Sequence, residues 1–172
     1  MKKQVPLLRR PCGSALLEVA LLLPILFTLL VGLVQIGKIT YVYYTLRKTL
    51  YTVARYVATQ QAVNFCDSED ATVVAAKNFA LTGYTEEGGE SMLPALTPEM
   101  IEVRIERYTA QTGELGECQC TASGCDASNG GQPPDYIVVL IPNGYEVRPR
   151  IPLLRLDPIP LRPEVRVPYG GT

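Results

Sequence analysis

The segment RRPCGSALLEVALLLPILFTLLVGLVQIGK, residues 9–38, decides the fold. It opens with two arginines and then carries a single charged residue, Glu18, between residues 15 and 37. A run of this length matches the roughly 20 residues that an α-helix needs to cross a bilayer core of about 30 Å. We therefore predict a transmembrane helix over residues 14–37.

The charges that flank this run predict its orientation. Lys2, Lys3, Arg9 and Arg10 all precede Gly13 without an acid among them, although the whole chain has a formal net charge of -1. Basic flanks mark the cytoplasmic side of a membrane segment. The remainder of the chain is acidic, whereas a nucleic-acid binder needs a basic face. We expect a cytoplasmic N-terminus, the rest of the chain on the far side, and no nucleic-acid partner.

A secretory signal peptide and a plain membrane anchor are the two simpler interpretations. Signal peptides have an apolar core of about 7–15 residues and a small-x-small cut site, but this run is longer and more helical sequence follows it. A plain anchor does not explain Glu18, because a lone carboxylate in lipid costs about 3 kcal/mol or more. A cut after Gly13 would give Ser14 a free amine one helical turn from Glu18. That amine could pair with Glu18 of the same chain or of a neighbour.

RRPCG followed by SALLE resembles a type IV prepilin signal, in which a basic leader ends in glycine and an acid is the fifth residue after the cut. The continuation through Leu23 and Pro24 is similar to the opening of TadE-like minor pilins, or pseudopilins, of the tight-adherence (Tad) pilus system. The resemblance extends over residues 9–62. Ser14 stands where major pilins carry phenylalanine, and Val19 where the small major Tad pilins carry tyrosine. Both departures favour a minor pilin over a main filament subunit.

The resemblance implies a function. A prepilin peptidase would cut between Gly13 and Ser14, and the processed chain would join other pilin or pseudopilin subunits through an inner-membrane assembly platform. The chain would begin in the lipid bilayer of a bacterial inner membrane, with a periplasmic C-terminal head, and would lie outside the cell once assembled. Its role would be in assembly, or in tip formation and initiation, of a pilus that supports surface attachment. The alternatives are an unprocessed, single-pass periplasmic protein and a pilus-tip adhesin.

Pro24 interrupts the hydrogen bonding of the predicted helix. Proline lacks an N–H group and kinks a helix, although neighbouring groups make it tolerable in membrane helices. We expect either a tolerated proline or a bend that helps helices pack in a filament.

Beyond Lys38 the helical pattern continues to residue 62, which predicts a helix about 70 Å long at 1.5 Å per residue. Its lower half would cross the membrane and its upper half would form a stalk. Tyr41, Tyr43 and Tyr44 are placed where an aromatic belt would meet the membrane surface, or they belong to the core of the head.

The rest of the chain predicts a small α+β head. A second helix is expected after an Asp67 or Ser68 cap and before Gly83, followed by the alternating strand MIEVRIERY. Two strands around Asn143-Gly144 are expected to form a hairpin. EVRVP predicts a short last strand, and the prolines of the C-terminal tail place it at a sheet edge or in extended wrapping. The expected fold is a long helix packed against a second helix and a small antiparallel sheet.

Four cysteines follow the apolar run: Cys66, Cys118, Cys120 and Cys125. Outside the cytoplasm they are expected to form two disulfides. We favour Cys66 joined to Cys118 or Cys120, with the other joined to Cys125, so that the head is disulfide-stapled. Zinc is the weaker alternative, because Cys-x-Cys is an unusual zinc spacing. An adhesin would use the loop between Cys118 and Cys125.

The sequence carries no histidine and no nucleophile motif or phosphate loop. We therefore expect no enzyme activity, no metal and no cofactor. The predicted organisation is a leader at 1–13, a transmembrane helix at 14–37, a stalk at 38–62, and an extracytoplasmic head at 63–172.

Overall fold

A computed structural model describes residues 12–61, 63–86, 88–109, 113–151 and 156–170. Helix α1 spans Cys12–Ala58, 47 residues, or about 70 Å. It ends at Ala58 rather than at the predicted residue 62, which lies outside the described residues. The C-terminal tail contacts this end of the helix, where the backbone N–H of Gly170 donates to the carbonyl of Ala58 at 3.1 Å. The hydroxyl of Tyr169 donates to the carbonyl of Gln60 at 3.2 Å.

The two halves of α1 have different surroundings. Its lower half is exposed, with Leu16 73% and Leu33 74% accessible. Its upper half buries one side chain every three or four residues, which is the spacing of a single helix face. The fully buried members of this row are Leu46, Leu50, Val53, Ala54 and Val57. The head is therefore built on the upper half alone.

Helix α2 spans Ala71–Thr82. Asp70 caps it, because Oδ1 accepts hydrogen bonds from the backbone N–H groups of Thr72 at 2.9 Å and Val73 at 3.3 Å. The predicted Asp67 or Ser68 cap is wrong: the chain makes a turn over residues 67–70 before the helix begins. Gly83 ends α2 as predicted, in a left-handed conformation with φ 84° that glycine adopts without strain.

The main sheet has four antiparallel strands in the order β2-β1-β3-β6. Their bounds are Glu102–Tyr108 for β1, Leu115–Glu117 for β2, Tyr136–Leu140 for β3, and Glu164–Pro168 for β6. The last strand, predicted from EVRVP, pairs with β3 at the sheet edge. Strand β2 was not predicted.

The two strands predicted around Asn143-Gly144 are present, but they do not pair with each other as a hairpin. The turn forms, with Gly144 at φ 77°, but β4 (Tyr145–Val147) does not return to β3. It pairs with β5 (Ile159–Leu161) in a separate two-stranded sheet. Both edges of β3 are already paired, with β1 and β6, so β4 has no free edge there.

One core joins these elements. Val73 and Ala76 of α2 and Ile137 and Val139 of β3 pack in the same cluster as the buried face of α1. The fold prediction is therefore confirmed: a long apolar N-terminal helix, a second helix and a small antiparallel sheet, stapled by disulfides.

Candidate processing and assembly site

Gly13 and Ser14 lie in the first turn of α1, and Glu18 follows on the same unbroken helix. Residues four apart on a helix are surface neighbours, with about 5–6 Å between their Cβ atoms. A free amine at Ser14 would therefore lie within reach of the Glu18 carboxylate. Because side chains four residues apart share one helix face, the pair would occupy a single side of α1.

Glu18 is surrounded by exposed apolar side chains. Leu17 is 69% accessible, Val19 58% and Leu21 65%. Among the described residues, no hydrogen bond or ion pair joins the Glu18 carboxylate to another group. A charge in apolar surroundings is stabilised by an opposite charge, and the described part of the chain supplies none. The pairing of Glu18 with the Ser14 amine of a processed chain stays a prediction.

Pro24 lies inside α1, which is helical on both sides of it. The proline ring has no N–H to donate to the carbonyl four residues earlier. On its other side, the Thr28 hydroxyl donates to the carbonyl of Pro24 at 2.8 Å. A bend at Pro24 stays a prediction.

The segment Ala15–Ala58 contains the one span, within the described residues, that is long and apolar enough to cross a membrane. Its most apolar window has a mean hydropathy of 2.6, and none of that window is buried. Along α1 from its N-terminus, Gln35 is the first described residue that contacts the head: its Nε2 donates a hydrogen bond to the carbonyl of Arg150 at 2.7 Å. Ile39 then packs against the core. Residues 15–34 below this contact would span about 30 Å, the thickness of a bilayer core.

The tyrosines above this span are exposed. Tyr41 is 70%, Tyr43 39% and Tyr44 73% accessible. Their assignment to the core of the head is therefore wrong. An aromatic belt at the membrane surface stays a prediction.

Two disulfides connect the four cysteines after α1. Cys66 pairs with Cys120 across 54 residues, and Cys118 pairs with Cys125 across seven. This is one of the two connectivities that the sequence left open. The first bond joins the turn between the helices to the segment after β2. The thiols are thereby used in covalent bonds rather than around a metal.

The loop after β2 is ordered by its own polar groups, which sequence reasoning missed. The Asp126 carboxylate accepts hydrogen bonds from the Ser128 backbone N–H at 3.0 Å and from Asn129 Nδ2 at 2.7 Å, and also from the Ser128 hydroxyl. The bonds from Ser128, and then those from Asn129, hold the pKa of Asp126 below its usual range. Asp-Ala-Ser-Asn is a sequence signal for such a turn, since aspartate favours backbone hydrogen bonds two residues on.

Within the described residues, no group of three or more cysteine, aspartate or glutamate side chains is arranged to hold a metal ion. The site therefore offers one carboxylate, Glu18, on an apolar helix that begins beside the candidate cut site.

Comparison with known proteins bears on this helix. The family model described as TadE-like protein matches residues 13–55, which is about a quarter of the chain and lies wholly within α1. No curated protein and no solved structure matches the chain. The TadE-like family is a structural, pilus-associated family. The resemblance that the sequence indicated is therefore confirmed over residues 13–55, where the chain is similar to the TadE-like family.

Proposed function

We propose that the chain is a minor pilin or pseudopilin of a Tad-type pilus. A prepilin peptidase cuts it between Gly13 and Ser14 on the cytoplasmic face of the inner membrane, with the head in the periplasm. The processed helix then leaves the bilayer and joins other subunits, where it takes part in assembly or in tip formation and initiation. The chain acts as a structural subunit rather than as an enzyme.

One observation carries the proposal: a TadE-like segment that begins at Gly13 forms an unbroken helix whose lower half is bare. A helix that is apolar on all sides and unpacked needs lipid or other helices around it. Exchange of one for the other is what a pilin helix undergoes on assembly.

The charge pair would set the register of that assembly. When Glu18 leaves the lipid for a helix bundle, an unpaired carboxylate is strongly destabilising. The Ser14 amine of an adjacent subunit would compensate it at one vertical offset only. Any other offset would leave both charges unpaired.

The test is the N-terminus of the Gly13→Lys variant, produced beside an active prepilin peptidase. We expect the variant to enter the membrane at full mass and to keep its leader. Gln4→Lys is the matched control, because it adds the same charge to the leader away from the cut, and its processing should be normal. Loss of the leader from the Gly13→Lys variant would contradict the proposal.

The exposed disulfide loop favours a second candidate, a pilus-tip adhesin. Cys118–Cys125 closes a short ring in which Thr121 and Ser123 are exposed. Thr121→Ala with Ser123→Ala removes the hydroxyls but retains both disulfides. An adhesin would lose attachment while filaments persist, whereas loss of filaments would indicate an assembly role.

A further inference from the structure

The head contacts α1 at the outer end of the apolar span. Gln35 Nε2 donates to the backbone carbonyl of Arg150 at 2.7 Å, so the segment around Arg150 lies beside α1 at the level of Gln35. Residues 15–34 below this contact fill the roughly 30 Å of a bilayer core. The headgroup layer on each side adds about 5–7 Å, and residues 35–38 rise about 5 Å. When α1 spans a bilayer, the segment that contacts Gln35 therefore lies among lipid head groups.

That segment presents two arginines on one side. Burial alternates along residues 147–151: Val147 and Pro149 are buried, whereas Arg148 and Arg150 are exposed. Such alternation is the pattern of an extended chain, in which residues two apart point to the same face and lie about 6–7 Å from each other. Both guanidinium groups are therefore available on the face that is turned away from the core.

Exposed apolar side chains lie next to these arginines. Val147 of β4 pairs with Ile159 of β5, which brings Ile159 beside the start of the arginine segment. Ile159 is 40% and Leu156 48% accessible. Binding to a membrane surface strengthens with buried apolar area and with attraction to anionic lipids, and this part of the head offers both. We call Arg148, Arg150, Leu156 and Ile159 the underside of the head.

The charges near the underside favour an anionic ligand. Lys38 is exposed on α1 just above the contact, and it adds a third cation to the two arginines. Two exposed acids, Glu146 and Asp157, oppose these cations in the described residues 145–151 and 156–159. Glu146 Oε2 lies 3.6 Å from Arg148 Nη2, with the two side chains 60% and 76% accessible, and pairs as exposed as this one contribute little. The net charge is therefore positive, and the guanidinium groups remain available to a ligand.

We propose that the underside of the head, together with Lys38, binds the head groups of anionic phospholipids around the outer end of α1. The two guanidinium groups would bond phosphate oxygens, for which their planar fork of donors is suited. Leu156 and Ile159 would lie at the edge of the hydrocarbon. The head would thereby be held against the membrane until the helix leaves the bilayer. The inference rests on the proposed function in one respect, since it places the head beside the outer leaflet.

A tryptophan at position 156 tests whether the underside reaches lipid. The chain has no tryptophan of its own, so Leu156→Trp gives one fluorophore that can be excited selectively. The full chain is reconstituted in bilayers whose phospholipids carry bromine near the glycerol end of the acyl chains. The fluorescence from position 156 should be strongly quenched.

Tyr108→Trp is the matched control, because Tyr108 is also exposed, at 51%, but lies at the other end of the head. Its ring centroid is 6.2 Å from that of Tyr136. The strand partner of Tyr136 is Pro168, which directly precedes the tail that bonds the end of α1 at Ala58. Equal quenching at the two positions, or none at position 156, would overturn the proposal.

The same probe measures which lipid occupies the site. The bilayers contain equal amounts of phosphatidylglycerol and phosphatidylcholine, with bromine on one of the two lipids at a time. The two quenching levels give the relative affinity of the lipids at position 156. Each basic residue near an anionic surface favours the anionic lipid by about fivefold, so we expect phosphatidylglycerol to be preferred by about fivefold or more. Equal affinity would show that the underside is not an anionic-lipid site.

Removal of the two arginines should lower that preference. In the position-156 tryptophan chain, Arg148→Gln with Arg150→Gln should reduce the preference for phosphatidylglycerol by about fivefold or more. The matched control is Arg47→Gln with Arg55→Gln, which removes the same charge from exposed sites on α1 about 18 Å or more above Gln35. A preference that the first pair leaves unchanged, or that both pairs lower equally, would contradict the proposed contact.

The N-terminus of the chain recovered from membranes separates this inference from the proposed function. If the chain begins at Ser14 and position 156 shows no lipid preference, the lipid site is wrong and the proposed function stands. If the chain begins at Met1 and the preference persists, the lipid site stands and the proposed function is wrong.

Discussion

At the residue scale, Glu18 is the side chain on which the proposed assembly depends. It is exposed among leucines on a helix, and no described group pairs with it. In the proposed function its charge is compensated by a cation, which cleavage before Ser14 would supply. Under that proposal the Ser14 amine and the Glu18 carboxylate act together.

Neutralisation of that acid should therefore separate processing from assembly. We expect Glu18→Gln to be cut normally and then to be nearly absent from filaments, because a buried charge that loses its partner costs about 3–5 kcal/mol. The amount of the variant in sheared filaments relative to membranes measures this. Glu18→Asp keeps the charge and is the control. Wild-type amounts of the glutamine variant in filaments would disprove the register role.

Asp70 is the residue whose role the sequence missed. The sequence DSED offers three acids and a serine as caps, and pattern alone does not rank them. The structure selects Asp70, which also accepts a hydrogen bond from the Asn64 backbone N–H at 3.2 Å. That second bond joins the helix start to the preceding turn, a contact that no local pattern indicates.

Removal of this cap should destabilise the head. Asp70→Ala is expected to lower the free energy of unfolding of the full chain by about 1–2 kcal/mol, because two helix N–H groups lose their acceptor. Denaturant unfolding in detergent measures the change. Ser68→Ala is the matched control, and it should have almost no effect. Equal losses for the two variants would show that Asp70 is not the cap.

At the element scale, the elements whose formation depends on nearby residues were predicted correctly, and those that depend on tertiary contacts were not. Helix α1 follows from its apolar run and β1 from strict alternation, so both were predicted. The hairpin prediction was wrong because the Asn143-Gly144 pair indicates a turn and does not determine which strand pairs with which. The partner of Tyr145 is Leu161, which is determined by the strands that already occupy β3. The spacing of the four cysteines along the chain favoured two of the possible disulfide pairings, and the folded structure selects one of these two.

The two disulfides should contribute unequally to stability. In the chain-entropy description, a bond that closes 54 residues constrains the unfolded chain by about 4 kcal/mol and one that closes seven by about 2 kcal/mol. Cys66→Ser with Cys120→Ser should thus lower the denaturation midpoint more than Cys118→Ser with Cys125→Ser. Unfolding of the full chain by urea measures both. The reverse order would contradict this assignment.

The disulfide loop also depends on a close backbone approach. A Cβ at Gly124 would lie 2.1 Å from the carbonyl oxygen of Gln119, whereas one at Gly116 would meet nothing within 4 Å. We expect Gly124→Ala to destabilise the head by about 1–3 kcal/mol, as overpacking does. Gly116→Ala is the control in the neighbouring strand. Thermal unfolding that is alike for the two variants would show that the loop relaxes without cost.

At the scale of the whole molecule, the N-terminal half of α1 is exposed and contacts no other described element, and its C-terminal half is packed into the head. The head prediction required only α+β class and disulfides, and both are confirmed. An apolar groove of about 820 Å³ between α1 and the C-terminal end of α2 was not predicted, because its walls come from segments that are distant in the sequence, with Tyr44 on one side and Phe79 and Met92 on the other. Surfaces of this kind are visible only when elements are assembled.

The orientation of the whole chain has its own test. The four basic residues before Gly13 predict a cytoplasmic N-terminus and a head outside the inner membrane. Protease added to spheroplasts should degrade the head, while a cytoplasmic marker protein stays intact. In inverted inner-membrane vesicles the head should be protected. Protection in spheroplasts would mean that the head faces the cytoplasm.

The N-terminal residue of the native protein tests the central claim most directly. Mass spectrometry of the chain from membranes and from sheared filaments of cells with an active prepilin peptidase should give Ser14 as the first residue in both fractions. Recovery of chains that begin at Met1 in both fractions would contradict the account.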